Sequence, residues 1–516
     1  MRRGLPLPLL LLLLPAAGVT AGAPHGGAAA GSRSTLRVLH LTDVHLDPAY
    51  APGAGPAACA APPCCRRAAG AGAPAPAAGR PARASGKALC DTPASVLQAA
   101  LNALSADPPD LVVWTGDTAP HPAAPTESAA GRPAGPADLT AHLAPLAEAA
   151  ATVRAGLPGV PVAPALGNRD FRPADRARPG ALLGALAAGD GPWGPWLPAE
   201  ARAAFAYGGY YSYLHAGLGV RLVALNTEAF HVLNLHAFLD HGPALEQLAW
   251  LELTLARAAR AGEPCVVFGH VPPGLWGGFW GRYSERYEAA VLAHAGAVAA
   301  QLFGHQHSGS LRLLRPAAGG KGAGDGGGPG APAAVAYVTP ALTPYLDQHP
   351  SFRVFELGPA AGGAPLTVVD FTQYYLNTSA PTAADGATLL WRVGYSPRES
   401  LGLRDLTPAS WGEAVDRMKA DPAFRRRVQH LEANGAKWMG PDAMKAQYAC
   451  GVAHLQDRAL IDCANQNEEK LIRNYIGKKH TYVLTALFPF RDVFSHFCRA
   501  LAPLAQLLPE ADCPAE

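Results

Sequence analysis

Seven side chains in this chain, Asp43, His45, Asp117, Asn168, His270, His305 and His307, offer four imidazoles, two carboxylates and one amide oxygen. They fall in five short stretches: Asp43-Val44-His45, Gly116-Asp117, Gly167-Asn168-Arg169-Asp170, Gly269-His270 and Gly304-His305-Gln306-His307. Imidazole nitrogen suits zinc, and a carboxylate can bridge two ions. Seven donors are too many for one tetrahedral ion but suit two ions that share a carboxylate. Such a pair, about 3.5–4 Å apart, clamps a phosphoryl group and lowers the pKa of a shared water. One of these histidines alone would be unremarkable in a turn or a core. Five stretches of this kind argue together for a site.

Each stretch ends an apolar run, which is what would position it. Leu36–Leu41, Leu111–Thr115, Val160–Pro164, Cys265–Phe268 and Gln301–Phe303 read as strands that stop at the polar residues. Val220–Leu225 reads as a further strand. Thr92-Pro93 marks a helix start, with threonine as N-cap and proline in the first turn, and Val96, Leu97, Ala100, Leu101 and Leu104 follow at helical spacing. Helices are expected over residues 139–154, 245–259 and 288–298. Alternating strands and helices argue a layered α/β domain, and ligand sites in such folds sit at strand C-termini. Beyond Ser308 the pattern becomes strand-rich, with runs at 311–314, 334–338, 353–357 and 366–371. From about residue 380 the chain reads as mainly helical, so we expect a catalytic domain over 36–380 and a C-terminal helical subdomain over 381–516. Residues 51–89 and 317–333 read as a cysteine-tied loop and a low-complexity loop.

With 516 residues, 49% hydrophobic and 16% charged, the chain can bury a sizeable core. A formal charge of +2 gives no reason to expect a nucleic-acid partner. That charge would rise to +20 were all 18 histidines protonated, which would draw the protein to anionic membranes in an acidic compartment. Residues 1–23 have the form of an export signal: Arg2 and Arg3, a leucine-rich run, then small residues. Residues 24–35 read as a flexible linker. The nine cysteines fit an oxidising compartment. Cys59, Cys64, Cys65 and Cys90 form one group, Cys450, Cys463, Cys498 and Cys513 another, and two disulfides are expected in each. Cys265, inside an apolar run, is expected to be a buried free thiol. Neither group has the paired Cys-x-x-Cys spacing of a zinc ribbon. Asn377-Thr378-Ser379 is a glycosylation sequon. We therefore expect a secreted, extracellular or lysosomal protein.

The order Asp-x-His, Gly-Asp, Gly-Asn-x-Asp, Gly-His, Gly-His-x-His resembles the calcineurin-like metallophosphoesterases. Leu41–Asp47, Trp114–Asp117 with His121 four residues on, His270–Gly274 and Tyr375–Asn377 resemble acid sphingomyelinase and the acid sphingomyelinase-like phosphodiesterases. The resemblance implies a layered β-sandwich flanked by helices and two Zn2+ ions. One ion would be held by Asp43, His45, Asp117 and His307, the other by Asp117, Asn168, His270 and His305, with Asp117 bridging. It places His121 on the leaving-group side, implies Cys59–Cys64 and Cys65–Cys90 pairs, and implies a phosphodiester substrate of sphingomyelin or nucleotide type. Purple acid phosphatases carry a ligand tyrosine three residues after the second aspartate. Pro120 stands there, which favours zinc over an iron–tyrosinate centre.

Two features depart from the family. Acid sphingomyelinase has a lipid-extracting saposin domain before its catalytic domain, whereas only residues 24–35 separate signal and first strand here, so unaided attack on membrane sphingomyelin is not expected. Arg169 stands where the family has a histidine thought to protonate the leaving oxygen. Arginine stays charged and cannot act as a general acid, though its fork of donors can stabilise phosphate charge. The competing expectation is therefore a metal-loaded pseudoenzyme that binds lipid or phosphate. Trp276, Phe279 and Trp280 read as an aromatic loop for substrate or lipid contact, and Trp193 and Trp196 as structural.

Overall fold

The computed structural model describes residues 34–53, 65–66, 83–121, 136–172, 180–274, 278–316, 330–360, 364–379, 389–436, 448–455 and 463. The export signal, linker residues 24–33, Cys59, Cys64, Cys498, Cys513, Trp276 and residues 317–329 lie outside them.

Among the described residues, twelve strands form two six-stranded sheets. The first holds β1 (Leu36–Leu41), β2 (Leu111–Trp114), β3 (Val162–Pro164), β10 (Ser351–Ala360), β11 (Ala364–Leu376) and β12 (Trp391–Tyr395), in the order β12-β11-β10-β1-β2-β3. The second holds β4 (Tyr211–His215), β5 (Val220–Ala224), β6 (Cys265–Phe268), β7 (Val298–Phe303), β8 (Ser310–Leu314) and β9 (Ala334–Val338), in the order β4-β5-β6-β7-β9-β8. β1, β2 and β3 run parallel, as do β5, β6, β7 and β9. Their carboxyl ends carry the five stretches.

Strand alternation explains the layers. Val38, Leu111 and Val113 of one sheet share a core with Leu222, Val266, Phe268 and Leu302 of the other. The intervening residues point outward. Leu39 and Val112 pack on helices Ala94–Asn102 and Pro136–Gly156, and Val267 packs on helices Gly242–Ala261 and Gly281–Ala293. The expected α/β sandwich flanked by helices is therefore present.

Several details differ from expectation. Pro93, not Thr92, is the N-cap of the first helix, and no side chain caps it. The helix placed at 288–298 is Gly281–Ala293, and Val298 already belongs to β7. The segment from 381 onward contributes a strand, β12, paired antiparallel with β11. Its helices, Pro397–Leu401, Pro408–Ala420, Pro422–Glu432 and Tyr448–Ala453, pack against the sheets: Trp411 Nε1 donates to the Tyr337 hydroxyl on β9 at 3.2 Å. Glu432 forms a buried ion pair with Arg353 on β10. Cys65–Cys90 and Cys450–Cys463 are bonded, and Cys265 is a buried free thiol. Among the described residues no helix is long and apolar enough to cross a membrane.

His40 on β1 joins the two layers. Its Nε2 meets Thr115 Oγ1 at 2.9 Å and its Nδ1 meets Thr339 Oγ1 at 2.7 Å, beyond β9. Burial, reinforced by the Arg353 charge, holds its pKa well below the ordinary histidine value. The unfolded chain then binds this proton where the folded chain does not, so stability is lost as pH falls below about 6.5. His40→Gln should flatten the acid limb of a stability-versus-pH curve by up to about 1.4 kcal/mol per pH unit. Denaturant unfolding across pH 4–7 reads this directly, and an unchanged slope would remove His40 from the account.

Candidate metal centre

Each of the five stretches leaves its strand through a tight backbone turn. Asp43, His45, Asp117, His305 and His307 all have positive φ, between 40° and 73°, although none is glycine. Non-glycine residues in this region cost energy and persist where the surroundings over-determine them, commonly at functional sites. The glycines beside them answer a different constraint, close backbone approach. A Cβ on Gly116 would lie 2.1 Å from Gly167 N, and one on Gly304 would lie 2.0 Å from Thr42 Oγ1. Backbone bonds then lash the turns together: Asp43 N donates to Gly116 O at 3.0 Å, His45 N to Asp117 O at 2.8 Å, and Gly304 N to His270 O at 2.8 Å.

These contacts bring all seven sequence-predicted side chains into one buried cluster. His45 Nδ1 meets Ala119 O at 2.9 Å and His270 Nδ1 meets Thr115 O at 2.8 Å. A carbonyl accepts only, so both rings carry their proton on Nδ1 and present Nε2 to the centre, the orientation that backbone carbonyls give metal-ligating histidines. Asp43 Oδ2 accepts from Thr42 Oγ1 and His305 N, leaving Oδ1 to face His307 Nε2 at 3.5 Å and the Nε2 atoms of His45 and His270 at 3.9 Å each. Asp117 Oδ1 accepts from Arg169 N at 2.7 Å, while Oδ2 lies 3.4 Å from His45 Nε2 and 3.3 Å from His270 Nε2. Asn168 Oδ1 is 3.1 Å from both His270 Nε2 and His305 Nδ1.

Asp43 Oδ1 and His45 Nε2 are buried with no hydrogen-bond partner. Buried polar atoms are rarely left so without a reason. The atoms facing one another are overwhelmingly electron-pair donors, an arrangement that repels itself unless cations intervene. The donor set therefore fits metal.

Electrostatics agree. Burial lowers the pKa values of His45, His305 and His307, keeping them in the neutral form that binds metal. Burial would raise Asp117, but the His270 and His45 imidazoles reverse this and hold it well below the carboxylate range. His270 differs: burial opposes its charge, yet Asp117 and Asp43 raise its pKa to about 10, so an ion bound there displaces a proton.

His121 stands at the rim among His45 and His307. Its Nδ1 contacts Asp91 Oδ1 at 2.7 Å, its backbone N–H donates to Asp91 Oδ2 at 2.7 Å, and its ring stacks on His45 and on Tyr345, both at 4.1 Å. Arg66, beside Cys65, donates to His121 O at 2.9 Å and to Asp47 Oδ2 at 2.7 Å. The Cys65–Cys90 disulfide thus ties together the two segments that hold His121. The Arg169 guanidinium is partly exposed and makes no hydrogen bond or ion pair among the described residues.

Sequence reasoning passed over four residues. Asp91 and Tyr345 lie on no strand end and carry no motif. Asp170 reads from the sequence only as part of a turn, yet its carboxylate accepts from the backbone N–H groups of Gly167, Thr118 and Ala119 and braces the ligand loops. Burial, with Asp117 adding to it, raises its pKa to about 7. His231 sits edge-on to His305 at 4.9 Å.

The aromatic-loop expectation is corrected at Phe279; Trp276 lies outside the described residues. Phe279 is fully buried against Phe230 and Tyr287, and Trp280 is partly buried on the same core. Apolar packing, not solvent, takes these rings, so replacing them with serine would open the core. Trp193 is fully buried, as expected for a structural residue. Asn377 follows β11, with its side-chain oxygen accepting from Ser379 N at 2.9 Å.

Residues 36–309 match the calcineurin-like phosphoesterase family. The chain belongs to that family. Its fold implies a divalent metal centre, and His/Asp clusters that could hold metal lie at the strand ends. Among curated proteins, the chain is 31% identical to human sphingomyelin phosphodiesterase over 82% of its length and 64% of that protein's. It therefore spans less than two thirds of that relative. It is 29% identical to human acid sphingomyelinase-like phosphodiesterase 3b, covering 82% of the chain and 89% of the relative, and 26% identical to human cyclic GMP-AMP phosphodiesterase over 83% and 89%.

Proposed function

We propose that this chain is an exported phosphodiesterase that works with two zinc ions. Asp43, His45, Asp117 and His307 would hold one ion, and Asp117, Asn168, His270 and His305 the other, with Asp117 shared. The observation that carries the reading is the convergence of these donors, with Asp43 Oδ1 and His45 Nε2 buried and unpartnered. When bound, such ions polarise a phosphoryl group and activate water for in-line attack. The remaining roles belong to the chain. Arg169, whose guanidinium has no hydrogen-bond or ion-pair partner among the described residues, would pair with a phosphate oxygen. His121, its Nδ1 committed to Asp91, would deliver a proton to the leaving oxygen from Nε2. The two disulfides support export.

The substrate class would be phosphodiesters of the sphingomyelin or nucleotide type, as the names of the relatives suggest. Burial of Phe279 removes one reason to favour a lipid surface. A second reading, a metal-loaded phosphate-binding protein without turnover, is favoured by one observation, Arg169 in place of a proton donor. Zinc-reconstituted protein should hydrolyse a bis-aryl phosphate, and a chelator should abolish that turnover. Absence of hydrolysis by fully loaded protein would sink the enzyme reading.

A further inference from the structure

Beyond the metal centre, one arginine among the described residues is buried without a carboxylate partner. Arg312, on β8, is 5% exposed. Its hydrogen bonds all come from Nη1, which donates to Ser310 Oγ at 3.0 Å and Leu311 O at 2.8 Å, two uncharged acceptors. No carboxylate among the described residues pairs with it, and burial pulls its pKa down to about 10. Arg353, equally buried, shows the ordinary solution, an ion pair with Glu432. An uncompensated buried guanidinium is strongly unfavourable unless something else supplies the negative charge.

A cavity of about 20 Å³ adjoins Arg312, lined also by Gln306, Ser308, Ser310, Tyr448 and Gly451. We propose that this cavity binds a small monovalent inorganic anion, chloride in physiological solution, on the Arg312 guanidinium. Size and chemistry both select this class. A single water needs about 10–15 Å³, so the space suits one particle of roughly that size, smaller than phosphate or an organic acid. Among the described residues, Arg312 Nε and Nη2 hold donors uncommitted to protein acceptors.

The site also reaches the metal ligands. Ser310 Oγ accepts from Arg312 and donates to Gln306 Oε1 at 3.1 Å, and Gln306 lies between His305 and His307. The bound anion therefore braces the strained turn that presents two imidazoles.

The test uses the metal-loaded full chain. Its thermal midpoint is measured in sodium chloride, bromide and gluconate at equal ionic strength. The midpoint should rise by about 1–2 °C for each tenfold increase of halide above its Kd. Gluconate should give no such rise, and in Arg312→Met the halide and gluconate curves should coincide. Crystals grown in bromide should show an anomalous peak beside Arg312, a readout that does not depend on the variant folding. A missing peak leaves only water in the cavity and overturns the proposal. So does a halide effect that Arg312→Met retains in full.

Discussion

Asp117→Asn should leave the fold in place and cut phosphodiester hydrolysis by about a thousandfold or more, because the centre would lose its shared ligand. Asp117 Oδ2 lies within 3.4 Å of both His45 Nε2 and His270 Nε2, and those two rings belong to the two proposed ion positions. Asparagine keeps an oxygen that can accept from Arg169 N, so the 167–170 turn retains its tie. Its amide group cannot bridge two cations, and the substitution removes one of the two carboxylates that neutralise them. Metal catalysis of this kind contributes several kcal/mol, and each ~1.4 kcal/mol is tenfold in rate. Metal analysis of the purified variant should find at most one ion per chain, against two for the wild type. Circular dichroism should show unchanged secondary structure. A variant that holds two ions and turns over normally would disprove the bridging role.

The legibility of this site from sequence has a physical basis. A strand that must end in a ligand turn writes a short apolar run, a small residue and a polar donor in consecutive positions, and Cys265–Phe268 leading to His270 is the plainest case. Ala334–Val338 is equally legible, because Val335, Tyr337 and Val338 favour a strand. Residues 298–300 are not. Val-Ala-Ala suits a helix as well as a strand, and the parallel pairing of β7 with β6 decides between them. β12 carries no turn signal of its own and exists because β11 offers an edge. Asp91 and Tyr345 matter through contacts 30 residues away or between aromatic faces, which no local spacing records. The braced carboxylate of Asp170 became readable only once the 118–119 amides were placed against it.

Arg169→His should raise hydrolysis of an alkyl phosphodiester by about 10²–10⁴-fold while changing an aryl phosphodiester little. A phenolate leaves without a proton, whereas an alkoxide must be protonated as its bond to phosphorus breaks. Arginine cannot supply that proton near neutral pH, and His121 at the rim covers the need only in part. The substitution should not disturb the ligand loop, because Arg169 holds Asp117 through its backbone N–H and its side chain bonds to nothing described. A histidine of ordinary pKa, about 6.5, acts as an acid only while protonated, so the gained activity should decline as pH rises through that value. Paired pH–rate profiles on an alkyl and an aryl substrate, with metal content fixed, separate the possible results. If the wild type cleaves neither substrate and Arg169→His cleaves both, the native chain is a metal-loaded binder disabled at one position. If neither rate moves, Arg169 does not occupy the proton donor's place, and leaving-group protonation rests on His121 and Asp91.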